Sequence, residues 1–487
     1  MNAAFTTLAL ACAPCLLAAD VRDVVPDYDQ YASDARFSVS SGTVKAKRAT
    51  EYSTHVIIEA AGSTQLRTEG IDPLRYVNLR TYQRTSVRKK DLDLKIPADG
   101  FAWLLVFDSP PNISLYDFEP RSPLKLPSTA PERARYPVVD VHAHLSSRRA
   151  DREERLRIMD AANVAIVVDS PMAFVGEQTV DSYSRFESSS PERFLTFATV
   201  DFSARRDPGF AAAAVGRLEE DVREFGVVGI GETHDKGSGI FGAALLPEKD
   251  PPVYIDDQRL TPVWEAAARL GLPILFHVSD PPSWYDPADK FNEHVIRMVR
   301  SPWFQVAGTS TLSIAEMLER RNRVMERIPD LKVIGAHMGS STEDLAALGE
   351  TMRKFPNLYV EIGVRHNVLA RQPRVARRFF IEFQDRILYG ADGVQPLSAY
   401  RNQWRIFETD DDSFSTPGSR IDPFYLYGLD LPDVVLRKLY YANAAELMPK
   451  VKERLLKRYP DLAFAVGYSE GARRDAAMAD PAIGVGR

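Results

Sequence analysis

The chain is 487 residues long, 45% hydrophobic and 26% charged, with a formal net charge of −6 at pH 7. That is an ordinary globular composition, long enough for a barrel of roughly 250 residues beside a second folded unit. It lacks the basic footprint of a nucleic-acid binder, and runs such as Arg88-Lys89-Lys90 and Arg377-Arg378 read as solvated surface.

The only cysteines, Cys12 and Cys15, lie near the N-terminus. Thiolate metal sites, a cysteine nucleophile and an internal disulfide are thereby excluded from the body of the chain. Any metal there must be held by imidazole and carboxylate. Residues 3–19 are apolar and uncharged, and polar sequence follows from Asp20. This pattern reads as a secretory signal over residues 1–19, although no Lys or Arg precedes it and Leu17 is a mediocre residue for cleavage after Ala19. The expectation is an exported protein, periplasmic or secreted, or a cytoplasmic one if the run is not a signal. No other stretch is long and apolar enough for a stable membrane span.

Residues 20–120 read as a β-rich accessory domain. Thr54–Ile58, Leu92–Ile96 and Ala102–Phe107 are strand-like and separated by turn signals such as Ala98-Asp99-Gly100. No long amphipathic helix intervenes, so a small β-sandwich is expected. Residues 121–136 are proline-rich and read as an extended linker. From residue 137 strands and helices alternate. Apolar strand candidates are Val138–Val141, Val164–Val168, Thr196–Val200, Val227–Ile230, Pro273–Phe276, Lys332–Ala336, Leu358–Ile362 and Ile387–Tyr389. Eight such runs are what a (β/α)₈ TIM barrel needs, and the α/β unit is expected over 137–455. An open doubly wound sheet would place a glycine-rich phosphate turn after its first strand, where this chain has a histidine pair. Residues 456–487 are expected to be a C-terminal helix and a disordered tail.

Polar residues end several of these apolar runs. The first is Asp140-Val141-His142-Ala143-His144, whose histidines, two apart, project to one side of a strand and can converge on an ion. His277 closes Pro273–His277, His337 closes Val333–His337, and Asp392 closes Leu388–Asp392. Of eight histidines in the chain, four thus sit at strand ends, on the face where barrels build active sites. A satisfied polar residue at a strand terminus explains one of them and not the set. His55, His294 and His366 have no such placement.

The order His142-x-His144, His277, His337, Asp392 resembles the amidohydrolase superfamily. Gly335-Ala-His-Met-Gly339, Tyr389-Gly-Ala-Asp-Gly393 and Tyr441-Ala-Asn-Ala444 are similar to its amidohydrolase-related (amidohydrolase 2) branch, which includes decarboxylases of carboxymuconate semialdehyde and resorcylic acid. The resemblance spans the region from residue 137 to 450 and excludes the N-terminal segment. It implies a divalent metal held by His142, His144, His277 and Asp392, with Zn²⁺ favoured by the donor set and Mn²⁺ or Fe²⁺ compatible with it. Asp392 would also be the general base. His337 would either ligate a second ion or act as an unligated imidazole that polarises substrate. Glu232, ending Val227–Glu232, stands where binuclear members place a bridging ligand. Its Gly-Glu phrasing is similar to the metal-dependent deoxyribonuclease branch, and a salt-bridged strand-end carboxylate is the plain alternative.

His234, read as a loop residue, Arg365 after the seventh strand, and Trp284 in the insertion after His277 are candidates for substrate binding. A surface ion pair for Arg365 and simple packing for Trp284 stand against them. The leading expectation is hydrolysis of an amide, ester or lactone of a small organic substrate. The alternatives are non-oxidative decarboxylation of an unsaturated or aromatic acid, and a catalytically silent exported binding protein. The sequence sets no oligomeric state.

Overall fold

A computed structural model describes residues 37–49, 53–69, 73–79, 84–85, 91–98, 100–107, 123–172, 177–240, 251–304, 306, 312–415 and 424–464. The expected signal, residues 1–19, and the expected tail beyond residue 464 lie outside these. The chain divides into two compact units, Met1–Phe118 and Glu119–Arg487.

The first unit contains β1 (Phe37–Val39), β2 (Thr43–Ala49), β3 (Ser53–Glu59), β4 (Ser63–Thr68), β5 (Arg75–Asn78), β6 (Arg84–Thr85), β7 (Asp91–Lys95) and β8 (Phe101–Phe107). They form two antiparallel sheets, β1-β4-β7 and β2-β3-β8-β5-β6. Burial alternates strictly along β8, so Ala102, Leu104 and Val106 face inward. They share one core with Val56 and Ile58 of β3, Leu66 of β4 and Tyr76 of β5, which makes the unit a two-sheet sandwich. β2 lies at an edge of the described sheet and carries Lys45, a charge that discourages further pairing.

The second unit is the barrel. Its strands are β9 (Val138–Ala143), β10 (Val164–Asp169), β11 (Phe194–Thr196), β12 (Ile230–His234), β13 (Ile274–His277), β14 (Val333–Gly335), β15 (Leu358–Glu361) and β16 (Ile387–Leu388). Parallel ladders join β9 to β10 to β11, and β12 through to β16. A parallel bridge between Ala198 and Ile230 links the two sheets. The ring closes where Val141 donates to the Tyr389 carbonyl at 3.0 Å and Asp392 donates to the His142 carbonyl at 2.8 Å. The strands are buried along nearly their whole length, as strands covered on both faces must be.

Helices follow the strands with local stop and start signals. Asp151 and Asp344 cap Arg152–Ala162 and Leu345–Lys354 by accepting from backbone amides, and Ser313 with Glu316 forms a capping box on Ile314–Arg327. Trp264, on Thr261–Leu270, packs edge-on against Phe276 of β13 with ring centroids 5.3 Å apart. Among the described residues no helix is long and apolar enough to cross a membrane.

Four expectations need correction. The third strand runs Phe194–Thr196 rather than Thr196–Val200, with Ala198 making only an isolated bridge to Ile230. The fourth strand runs Ile230–His234 rather than Val227–Ile230. Val228 and Gly229 bond only to the third-strand side, and contact with β13 starts where Ile230 donates to the Pro273 carbonyl. Residue 229 must be glycine, because a Cβ there would run into the Phe197 ring. His234 is consequently the last residue of a strand, with its side chain only 10% exposed, and not a loop residue. The last helix is Pro449–Arg458, so it starts inside the expected barrel range, and residues 459–464 are not helical. Pro449 explains the start, since its ring is preset for the first helical turn.

The sandwich core is small, which makes each of its side chains matter. Leu104→Ala should cost about 2–5 kcal/mol, a large part of what so small a unit holds. In a thermal melt followed by limited proteolysis, the variant should lose the N-terminal unit first and leave a protease-resistant fragment starting near residue 120.

Candidate metal centre

β9 and the residue after it bring His142 and His144 to the C-terminal mouth of the barrel. β12 supplies Glu232 and His234, β13 supplies His277, and His337 and Asp392 lie in the turns just beyond β14 and β16. His337 and Asp392 both adopt left-handed backbone conformations, with φ of 57° and 60°. Non-glycine residues rarely do so, and here the turn swings each side chain off its strand toward the barrel axis. For His337 the turn is tied down: its amide donates to Glu361 Oε1 at 2.6 Å, and the Arg321 guanidinium donates to the Gly339 carbonyl at 2.8 Å.

Nε2 of His142 and Nε2 of His144 are 3.2 Å apart. Glu232 Oε2 stands 3.5 Å from the first and 3.2 Å from the second. Asp392 Oδ1 stands 3.8 Å and 3.4 Å from the same two nitrogens. Donors gathered tetrahedrally at bond lengths of about 2.0–2.2 Å sit about 3.3–3.6 Å from one another. These atoms therefore have the spacing of a coordination set.

The other oxygen of Glu232 faces elsewhere. Oε1 lies 2.7 Å from Nδ1 of His277 and 3.7 Å from Nε2 of His337. That imidazole nitrogen is also 3.9 Å from Asp392 Oδ2. His234 Nε2 approaches Glu232 Oε2 at 3.1 Å, and the set Glu232, His234, His277 is close enough to hold an ion, as is His142, His144, Glu232. Thus the structure gathers His142, His144 and His234 around one oxygen of Glu232 and His277 and His337 around the other, with Asp392 reaching His144 through Oδ1 and His337 through Oδ2.

The outward nitrogens explain why the inward ones are available. Nδ1 of His144 pairs with the Ser170 carbonyl, and Nδ1 of His337 with the Gly363 carbonyl, each at 2.8 Å. A carbonyl only accepts, so Nδ1 carries the hydrogen and Nε2 points inward as donor to a metal. Nδ1 of His142 is 3.1 Å from Glu361 Oε1, and Nε2 of His277 is 3.4 Å from Asp280 Oδ1. Asp280 is itself paired with Lys236 at 2.9 Å. These oriented imidazoles and buried carboxylates fit a divalent cation of the Zn²⁺ type.

Electrostatics divide the histidines. Burial disfavours charge on His144, but hydrogen bonding to Asp392 and Glu232 outweighs it and raises its pKa to about 10. Burial dominates at His337 and His234, which fall to about 3 and about 4. Burial also opposes the Glu232 charge, yet His234, His142 and His277 hold its carboxyl well below the usual range.

Sequence reasoning passed over Glu361, which is fully buried and accepts from the amides of His337 and Gly363 while facing His142. The signal was present, since Glu361 ends an apolar strand just as His277 does. A Cβ at Gly390 would strike both the Glu361 carboxylate and the His142 side chain, which explains that glycine. Trp284 packs against Phe304 with centroids 4.5 Å apart, inside the insertion that follows β13. Arg365 is buried in the turn that follows Glu361.

The chain belongs to the amidohydrolase family, whose model, described as "Amidohydrolase", matches residues 139–450. Members of that family are generally enzymes and usually bind divalent metals. No curated protein matches the chain. Among solved structures it is similar to an uncharacterized TIM-barrel protein of Bordetella bronchiseptica, at 13% identity, TM-score 0.41, covering 65% of this chain and 99% of that one. A 4-oxalomesaconate hydratase of Rhodopseudomonas palustris is similar at 15% identity, TM-score 0.37, over 67% and 100% of the respective chains. A dihydroorotase of Campylobacter jejuni is similar at 16% identity, TM-score 0.33, over 68% and 85%.

Because His144 holds a proton up to about pH 10 in the metal-free site, cation uptake must expel it. Titration of Zn²⁺ into metal-free protein at pH 7 should release protons, read as a dependence of the calorimetric heat on the buffer's ionisation enthalpy. Apparent affinity should strengthen as pH rises toward that value. A heat independent of buffer would show that the imidazoles start neutral.

Proposed function

We propose that this protein is a metal-dependent hydrolase that directs an activated water onto an amide, ester or lactone of a small organic substrate. One observation carries the reading: the two oxygens of the buried Glu232 face different imidazoles, His142, His144 and His234 about Oε2 and His277 and His337 about Oε1, with Asp392 within 4 Å of imidazole nitrogens on both sides. That is the arrangement of a carboxylate shared by two cations. A divalent cation held by these residues would polarise a carbonyl and lower the pKa of water toward about 7.

The protein's own groups do the rest. Asp392 has the only substantially exposed side chain of the set, 26%, against 3% for Glu232 and 0% for His142. Its carboxylate therefore borders the space through which substrate and water arrive. There it accepts the proton of the attacking water and returns it to the departing amine or alkoxide. Glu361, Ser170 and Gly363 hold the imidazoles in one tautomer, so that little reorganisation accompanies the reaction.

The test is metal content and activity together. Purified wild-type protein should hold two equivalents of metal and hydrolyse members of a panel of aryl esters, lactones and N-acyl amino acids. Glu232→Gln should lose about one equivalent and most of its turnover, while Asp392→Asn should fold normally and lose about 10²–10⁴-fold in kcat. A single ion in the wild type, retained in Glu232→Gln, would overturn the shared-carboxylate reading and leave decarboxylation as the leading chemistry.

The apolar run at residues 3–19 supports export of the same enzyme. Protein recovered from the native host should begin at Asp20; an N-terminus at Met1 or Asn2 would reject export by a cleaved signal.

A further inference from the structure

Five arginines in the described residues are buried: Arg155, Arg193, Arg205, Arg321 and Arg365. The first four each donate to at least one backbone carbonyl, of Gln395, Ala165, Phe202 and Gly339 respectively. Arg365 differs. Among the described residues its guanidinium makes no hydrogen bond and no ion pair, and its Nε is enclosed without a partner. The Nε of Arg155 and of Arg205 is also enclosed without a partner, but each of those guanidiniums has a carbonyl on a terminal nitrogen, whereas Arg365 has none at all among the described residues, which is expensive for a buried cation.

Its position is informative. Arg365 ends the turn that starts at Glu361, and its amide bonds back to the Ile362 carbonyl at 2.9 Å. Within that turn Gly363 accepts from His337 Nδ1, and a Cβ on Gly363 would touch the Cβ of Asp392. The turn is therefore packed directly on the metal centre. The charges that reach the guanidinium are Glu343, Asp280, Asp392 and Glu361. Three of these are already engaged: Asp280 by Lys236, Asp392 by His144 and His142, and Glu361 by His142 and two amides.

We infer that Arg365 is the anchor for a carboxylate carried by the substrate, so that the substrate class is a carboxylic acid whose scissile group lies at the Glu232–Asp392 centre. This rests on the hydrolase reading above. A planar guanidinium matches a carboxylate through two parallel hydrogen bonds. The surrounding carboxylates argue against a phosphate dianion, because Lys236 is committed to Asp280 and leaves Arg365 as a single cation to meet the ligand.

The probe is glutarate, compared with its neutral diamide, titrated calorimetrically into metal-loaded wild type, Arg365→Gln and Arg365→Lys, with metal content measured on each. Wild type should bind glutarate at least 10-fold more tightly than the diamide. Arg365→Gln should erase that preference at unchanged metal content and with no loss of Tm, and Arg365→Lys should keep part of it. Equal affinity of wild type and Arg365→Gln for glutarate would overturn the assignment. So would a Tm several degrees lower, or loss of metal, in both variants, since that behaviour belongs to a structural arginine. If glutarate discrimination holds but no ester, lactone or amide is hydrolysed, the anchor stands and the hydrolase reading falls.

Discussion

A carboxylate stripped of water and ringed by imidazoles is the constraint on which the rest of this protein turns. Glu232 is buried, and His142, His144, His234, His277 and His337 all come within 4 Å of one or other of its oxygens. An isolated carboxylate in that position would cost many kcal/mol or take up a proton. Here the imidazoles keep it ionised, and the same carboxylate divides them into two groups. Only a closed ring of parallel strands brings residues from the first, fourth, fifth, sixth and eighth strands to one point, because every strand delivers its C-terminal residue to the same mouth. The arrangement is thus a property of the closed barrel and not of any single βα unit.

The closure itself is built into the site. The amide of Asp392 donates to the carbonyl of His142, so one backbone bond both seals the last strand to the first and sets the spacing of two donors. Glu361 performs a similar double duty, fixing the left-handed turn at His337 through its amide while facing Nδ1 of His142. Behind His142, Asp140 accepts from the Ala391 amide and the Tyr400 hydroxyl, which links the first strand to the eighth and to helix Leu397–Glu408. Burial pushes Asp140 up to about 7 despite those bonds. Outer groups of this kind determine where the inner nitrogens point, and disturbing them moves ligands that they never replace.

Much of this is legible in the residues, and the boundary of legibility is physical. Most barrel strands stand out because they are short apolar runs, buried on both faces, with a polar residue at or just beyond their C-terminal ends. The placement of β12 does not, because Val227–Gly229 is as apolar as a strand core yet pairs on one side only. His234 looks like a loop residue for the same reason. Strands β2 and β4 are hidden by composition: one is an edge rich in Lys and Arg, and the other has a single apolar residue, Leu66, flanked on its buried side by Thr64 and Thr68. The isolation of Arg365 cannot be read from sequence at all. An arginine in a turn is usually solvated, and only the packed turn shows that it lacks the carbonyl partner its four buried counterparts have.

The two sides of Glu232 also answer to pH in opposite senses. His144 is held charged by the carboxylates that face it, whereas His337, disfavoured from charging by burial and backed by a carbonyl, is neutral across the whole physiological range. A cation approaching the His277 and His337 side meets, in His337, a lone pair that is free at any ordinary pH. One approaching the His142 and His144 side must first displace a proton shared with Asp392 and Glu232. Loading of His337 itself should therefore vary little with pH and loading of His144 steeply, even though a single carboxylate serves both. That asymmetry follows from which strand ends carry carboxylates. Asp392 and Glu232 both face His144 within 3.4 Å, while for His337 the nearest carboxylate oxygen toward the centre is 3.7 Å away and belongs to Glu232, which is already committed to His277.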